Sequence, residues 1–349
     1  MQWCTREYLE TIHSAGITTR NVLYDAPRDW TTRLKRKLFP FPYRGFHAPE
    51  LVREILKAAD NENAKIIFLN NTDAVAMAPA LRAAQPDLKL FFLSHGVEIT
   101  DVVNNLRIAP ETMPGYQKDC RWLGKLVKTE LIIREALDGV FCLSQEDVAF
   151  ERWLGSRHVK FIPRQIMPNP LRLSPIKGRV GTVGSFDHGP NVHGLRLLAK
   201  ALSAESKVEL RIVGGPEKIG LSLQDNFKGI TYLGRLTEEG LKKEATSWCA
   251  FVNPIFCHAR GASTKVATAL GWGLPVLTTS MGARGYIWDK NLIPFQETPA
   301  ELAAECKLVA ESDNLGLLFQ KAHLLANLAP SVDQVAAMIG DFLASLHSS

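Results

Sequence analysis

The residues with the most chemical content lie between 255 and 286, in IFCHARGASTKVATALGWGLPVLTTSMGARGY. There Arg260-Gly261-Ala262-Ser263-Thr264-Lys265 stands directly before an apolar run that stops at Gly273-Leu274-Pro275. A loop of small residues feeding a helix presents unpaired backbone N–H groups and a positive dipole end, which together hold anions. Ser263 or Thr264 can cap such a helix, and Lys265 falls in its first turn. A cation at that place opposes the dipole. The cost makes sense if the lysine faces an anion, although a solvated surface lysine is the plainer alternative. A second stretch of this kind, RVGTVGSFDHGPNVHGLRLLAKAL, begins at Arg179. Its strand ends at Val183, Gly184 lets the backbone approach a ligand, and Ser185 with the helix that begins near Pro190-Asn191 offers donors. Gly181 and Gly184 do not make G-x-G-x-x-G, and no acidic residue closes the following strand at the distance a dinucleotide fingerprint needs. By pattern alone, a phosphate site and a plain strand–helix turn both fit this stretch.

These residues need a scaffold to hold them. The chain has 349 residues, 46% hydrophobic and 22% charged, which suits two domains better than one. Short β-rich apolar runs alternate with helical patterns, the signature of an α/β fold with parallel sheets covered on both faces. In the first half, strands are predicted at 20–24, 65–69, 89–93 and 139–143, with helices near 48–59, 73–84 and 119–137. Ser144 followed by Asp147 reads as the cap of another helix. The stretch FIPRQIMPNPLRLSPIKG, with four prolines and no periodicity, reads as a linker. Beyond it the alternation restarts, with strands at 179–183, 208–213, 230–233, 250–253 and 275–279 and helices near 191–203, 237–246, 264–272 and 299–311. The last segment carries Val332, Val335, Met338, Ile339, Phe342, Leu343 and Leu346 at helical spacing behind a Ser331/Gln334 capping box. The domains expected are therefore 1–168, 169–330 and an amphipathic helix over 331–349. Two doubly wound domains place a ligand cleft between the carboxyl ends of their sheets.

Other features narrow the function class. No apolar run is long enough to span a bilayer, and the start does not resemble a secretion signal, so a cytoplasmic protein is expected. The six cysteines show neither C-x-x-C nor metal spacing. The net charge of +5 suits an anionic ligand, and no nucleic-acid motif is present.

At the residues quoted, the chain resembles the retaining nucleotide-sugar glycosyltransferases of glycosyltransferase family 4, which have the GT-B fold. The resemblance rests on an ordered series: VGSFDHGPNVHGLRLL, LRIVGGP, ITYLGRL, FVNPIF and TKVATALGWGLPVLTTSMGARG. In the first half FFLSHGVE, GVFCLSQED and VKFIPRQIMPNP stand where the family has its histidine loop, an S-x-x-D helix cap and its hinge. The similarity spans roughly 60–310. It implies two Rossmann-like domains, with the C-terminal helix packing back on the first. The donor diphosphate would be held by Gly184, Ser185, Asn191 and Gly261-Ala262-Ser263-Thr264-Lys265. His95 would be the catalytic residue under the donor sugar, with Glu98 a candidate on the acceptor side. The implied reaction moves a hexose from a nucleotide-diphosphate sugar to a glycan or lipid-linked acceptor with retained configuration. Surface polysaccharide or glycolipid synthesis is the implied setting, with no metal or cofactor required. On pattern alone, His95 at a strand end reads rather as bonded to backbone.

The chain also departs from the family. Aligned on Gly273-Leu274-Pro275, the two glutamates that commonly address the donor sugar and ribose are Arg260 and Thr268. An arginine and a lysine that commonly meet the diphosphate are Ser185 and Asn191, so Arg260, Lys265 and Arg284 are candidate replacements for the charge. The start reads as the first helix of such a domain without its opening strand and glycine-rich loop, as if the true start lay upstream. The stretch TTRLKRKLFPFPYRGFH, 31–47, mixes basic and aromatic residues and either rests on an anionic membrane or is a solvated basic loop. A non-catalytic GT-B protein that binds a nucleotide or glycan is the main alternative, and a Rossmann oxidoreductase is disfavoured by the missing fingerprint.

Overall fold

The computed structural model describes residues 2–23, 30, 31, 34, 43–108, 116–203 and 207–346. The chain divides into two units: residues 1–103, 109–162 and 331–349 form one, and 104–108 with 163–330 the other.

In the first unit, continuous apolar runs such as KLFFL and GVFC suit strands buried on both faces, and they pair in parallel. The sheet has the order β1 (Ile66–Asn70), β2 (Lys89–Leu93), β3 (Gly139–Cys142), β4 (Val159–Phe161). The last strand lies where the sequence reads as the start of a linker. Of the strand expected at 20–24, the residues through Leu23 are irregular, and Leu23 is 90% exposed. Among the described residues β1 is the sheet edge, and the run does not pair with it. Most of 31–47 lies outside the described residues. The first helix, α1 (Gln2–Ser14), packs beside the C-terminal helix, Val332–Ser345, where the Ser14 hydroxyl donates to Asp333 at 2.8 Å. The Ser331/Gln334 capping box starts that C-terminal helix. Its Phe342 meets Phe141 edge-on at 5.1 Å between ring centroids, so the helix covers the β2–β3 face.

One ionic cluster lies inside this unit. Arg134 and Glu130, one turn apart on the helix Tyr116–Glu135, are each 1% exposed, and Glu151 on the helix Gln145–Trp153 is fully buried. The guanidinium donates to Glu130 and, through Nε and Nη2, to both Glu151 oxygens at 2.8 and 2.7 Å. Tyr43 donates to Glu130 and Ser156 to Glu151 at 3.0 Å. Burial pushes the Glu130 carboxyl up despite the arginine beside it.

In the second unit all strands are parallel in the order β7 (Ile230–Tyr232), β6 (Glu209–Gly215), β5 (Arg179–Ser185), β8 (Phe251–Asn253), β9 (Val276–Thr278). Strands are added to one side of β5 and then to the other, so the loops after β5 and β8 part at a topological switch point, where doubly wound sheets bind ligands. Gly181 is explained by packing: a Cβ there would come within 2.0 Å of the buried Trp248 ring. The proline-rich segment lies along this unit rather than hanging free. Asn169 N–H donates to the Gly271 carbonyl at 2.8 Å, Leu171 to Trp272 at 3.1 Å, and Ile176 to Ser247 at 2.9 Å.

Removing one partner of the Arg134 cluster leaves a charge buried without compensation, which typically costs about 3–5 kcal/mol. Glu151→Ala is expected to lower unfolding free energy by about that amount in a denaturant titration; a loss under about 1 kcal/mol contradicts the cluster as drawn.

Candidate functional site

The two cradle stretches meet at the carboxyl end of the second sheet. β5 ends in Gly184-Ser185, and the helix Gly189–Ser203 follows. On the far side of the switch point, the loop after β8 turns left-handed at Gly261 (φ 62) and enters the helix Thr264–Gly271. The two sides approach closely. A Cβ on Gly194 would lie 1.6 Å from the Pro254 carbonyl oxygen, so only glycine lets that helix sit against the β8 loop.

Lys265 reaches across the gap. Its Nζ donates to Asn191 Oδ1 at 3.2 Å, and Asn191 Nδ2 donates to the Ser185 carbonyl at 3.0 Å. A Cβ built on Gly184 would stand 3.5 Å from that Nζ and 3.7 Å from Asn191 Nδ2, so Gly184 forms the floor under both. Among the described residues no carboxylate pairs with Lys265. The residue keeps some accessible surface, yet its ammonium sits deep. Desolvation first, and then the like charge of Arg284, push its pKa down to about 8.

The helix start is left open on its ligand side. Ser263 is the N-cap, but its side chain accepts no cap hydrogen bond, and its Oγ is buried without a partner. Ala262 and Thr264 are half-buried beside it. The Ser185 hydroxyl faces Asp187, whose carboxyl it holds below the usual carboxylate range.

The other candidates are placed as follows. Thr268 Oγ1 donates to the Thr264 carbonyl at 3.0 Å, a bond within its own helix. The half-buried Arg260 offers its carbonyl to Arg284 Nη2 at 2.9 Å, while Arg284 Nη1 donates to the Met281 carbonyl at 2.8 Å. Arg284 therefore braces the loop. Of the three candidate cations, Lys265 is the one whose charged atom stands beside Gly184, 3.5 Å from a Cβ built there. No sequence pattern marks Asn191 as the residue that holds Lys265, Arg284 as a brace, or Tyr286 at all. The Tyr286 hydroxyl accepts from Ala267 N–H at 3.0 Å and donates to the Ser263 carbonyl. None of these follows a fixed spacing.

In the first unit, His95 follows β2 and is half-buried. Its Nε2 lies 2.7 Å from Asn70 Oδ1, and Asn70 Nδ2 donates to Thr5 Oγ1 at 2.9 Å. The Asn70 amide thus bridges His95 and Thr5 and fixes the orientation of the ring. Tyr8 supports the turn by donating to the Ser94 carbonyl at 3.0 Å. Glu98 starts the helix Glu98–Ile108, where a carboxylate is favoured by the dipole.

Comparison with known proteins fits this geometry. Residues 177–312, within the second unit, match the family model described as Glycosyl transferases group 1. Among solved structures, sucrose-phosphate synthase from Thermosynechococcus elongatus superposes with a TM-score of 0.59 at 18% identity, over 94% of this chain and 82% of that one. HepE of Anabaena, solved in complex with UDP and glucose, gives 0.58 at 16% identity, over 85% of this chain and 82% of that one. The lipopolysaccharide outer core galactosyltransferase WaaB gives 0.58 at 10% identity, over 98% of this chain and 95% of that one. At these identities the likeness establishes the GT-B fold. A search of curated protein sequences found no significant match.

Gly184 separates ligand room from folding. Its backbone does not need positive φ, and an added methyl would make only ordinary contacts. Gly184→Ala is expected to change stability by under about 0.5 kcal/mol while weakening pyrophosphate or nucleoside-diphosphate binding roughly tenfold, read by calorimetry. Unchanged affinity would show that the space before Lys265 is not where the anion lies.

Proposed function

We propose that the chain is a retaining glycosyltransferase of family 4 that takes a hexose from a nucleotide-diphosphate sugar and passes it to a glycan or lipid-linked acceptor. One observation carries this reading: the ammonium of Lys265 lies deep at a helix N-terminus, over a glycine floor, with no carboxylate among the described residues to pair with it. A diphosphate supplies the missing negative charge. As the bond between the anomeric carbon and the diphosphate oxygen breaks, negative charge grows on the leaving group. Lys265, the first-turn N–H groups and Ser263 Oγ stand ready for it without reorganisation. These groups do the work that a metal ion does elsewhere, so the proposed reaction is metal-independent. Gly184, Ser185 and Asn191 line the other side of the diphosphate, with Asn191 keeping Lys265 aimed.

His95 takes the catalytic role at the sugar, and Glu98 faces the acceptor. The Asn70 amide, 2.7 Å from Nε2, fixes the ring that addresses the sugar. HepE was solved with UDP and glucose, which makes UDP the first nucleotide to try. No described helix is long and apolar enough to cross a membrane. The basic and aromatic stretch 31–47 is proposed to rest on the inner face of a membrane carrying the acceptor, in surface polysaccharide or glycolipid synthesis.

Arg260 and Thr268 favour a second reading, a non-catalytic GT-B protein that binds a nucleotide or glycan. Neither side chain brings the carboxylate that commonly grips the donor sugar and ribose, and the Thr268 hydroxyl hydrogen is already directed to Thr264. Slow hydrolysis of a nucleotide sugar separates the two, since an enzyme turns over some donor.

His95→Ala is expected to lower donor turnover at least a hundredfold, roughly the contribution of a positioned acid–base group, while UDP affinity changes less than about threefold. Equal loss of UDP binding in that variant would make His95 a structural residue of the first unit, and no loss of turnover would remove it from the chemistry.

A further inference from the structure

Tyr286 belongs to none of the stretches in which the sequence places the diphosphate site, and its hydroxyl occupies an unusual position. The carbonyl of an N-cap residue normally accepts the first hydrogen bond of its helix, from the N–H four residues on. In the helix Thr264–Gly271 those two groups are the Ser263 carbonyl and the Ala267 N–H. The Tyr286 hydroxyl touches both, accepting from Ala267 N–H at 3.0 Å and donating to the Ser263 carbonyl. One side chain from outside the helix thus secures its first turn. The usual securing group, the Ser263 side chain, accepts no N–H, and its Oγ is buried with no partner.

The loop that carries Tyr286 is itself fixed. Gly282 N–H donates to Thr279 Oγ1 at 2.9 Å, Tyr286 N–H to the Ala283 carbonyl at 3.1 Å, and Arg164 N–H to the Gly285 carbonyl at 2.8 Å. Two residues earlier, Arg284 holds the Arg260 carbonyl at 2.9 Å. The carbonyl oxygens at both ends of Arg260–Ser263 are therefore drawn against the 279–286 loop. A carbonyl oxygen facing a phosphate is repelled by it, so donors on these two keep the cradle lined by N–H and O–H groups.

We infer that Tyr286 is a positioning residue for the diphosphate cradle: its hydroxyl bridges the Ser263 carbonyl and the Ala267 N–H and so fixes the helix start whose Ser263 Oγ and first-turn amides take ligand oxygens. This rests on the donor-site reading above. Tyr286 touches no ligand atom in this role and acts through Ser263 and Ala267.

The test compares binding of UDP with binding of uridine, by calorimetry, in the full-length chain and in Tyr286→Phe. The phenyl ring keeps the packing and loses only the hydroxyl. UDP affinity is expected to fall roughly five- to thirtyfold with uridine affinity unchanged, because one securing hydrogen bond is lost and only the phosphate end depends on it. A merely structural tyrosine would lower the melting temperature and leave the UDP-to-uridine ratio alone, which overturns the inference. Ser263→Ala gives a second reading that does not depend on how Tyr286→Phe folds. If Tyr286 secures the helix, removing the Ser263 hydroxyl leaves the melting temperature unchanged and weakens UDP several-fold. A clear drop in melting temperature instead would show that Ser263 caps the helix in solution, against the inference. Lys265→Ala keeps the two levels apart. If it spares the UDP-to-uridine ratio, or if the native chain binds none of UDP, GDP and ADP, the donor-site reading fails and Tyr286 falls with it. If Lys265→Ala lowers the ratio and Tyr286→Phe does not, only the role of Tyr286 is lost.

Discussion

The second unit is organised around an ammonium group held where three forces oppose its charge. Lys265 is drawn out of water, stands in the first turn of a helix whose dipole repels it, and lies near Arg284, which brings its pKa down to about 8. The folded pKa is below the unfolded value of 10.5, so the sign is clear. The folded chain binds the proton less well, the unfavourable contribution is fully present below about pH 8, and stability rises between that pH and about 10.5. The buried cation of the first unit shows the contrast. Arg134 is surrounded by Glu130 and Glu151, with Tyr43 and Ser156 completing the carboxylates' hydrogen bonds. This fold neutralises a buried cation where neutrality serves packing. Lys265 gets only the neutral amide of Asn191, which steers its charge and leaves the charge for a ligand.

Much around that lysine follows from keeping it accessible. Gly184 leaves space before Nζ, Gly194 lets the helix after β5 close against the β8 loop, and the proline-rich segment is bonded to the end of the Thr264–Gly271 helix at Gly271 and Trp272. The 279–286 loop then turns two carbonyls away from the cradle. Each is an ordinary contact. Together they set a helix start that is uncapped on its ligand side.

The alternation of apolar runs made the parallel sheets readable, and Gly-Ser after one strand and Gly-Ala-Ser-Thr-Lys after another marked the switch-point loops, because backbone N–H sites need small residues at fixed places. Contacts between distant residues were not readable. Lys265 with Asn191 spans 74 positions and Tyr286 with Ser263 spans 23, and such pairs leave no periodicity. The run through Leu23 misled for a related reason: its residues have strand propensity, but propensity alone does not form a strand, and the run does not pair with β1. β4 was hidden because Val159–Phe161 is too short to alternate and prolines follow it at once. Arg260 and Thr268, which stand out against the family pattern, are tied by a backbone and a side-chain bond to neighbours in their own unit.

The central claim is that a diphosphate supplies the counter-charge Lys265 lacks, and proton linkage measures this directly. Above pH 8 the phosphates of UDP are fully ionised, so a proton taken up on binding does not go to them, and Lys265→Met separates uptake at the lysine from uptake elsewhere. Calorimetry of UDP binding near pH 8.5–9, in buffers of different ionisation enthalpy, is predicted to show uptake of more than about half a proton per UDP, since the ligand restores the ordinary affinity of Lys265 for its proton. In Lys265→Met the uptake should vanish. UDP that binds the native chain with no proton uptake, or with the same uptake in Lys265→Met, would contradict the account.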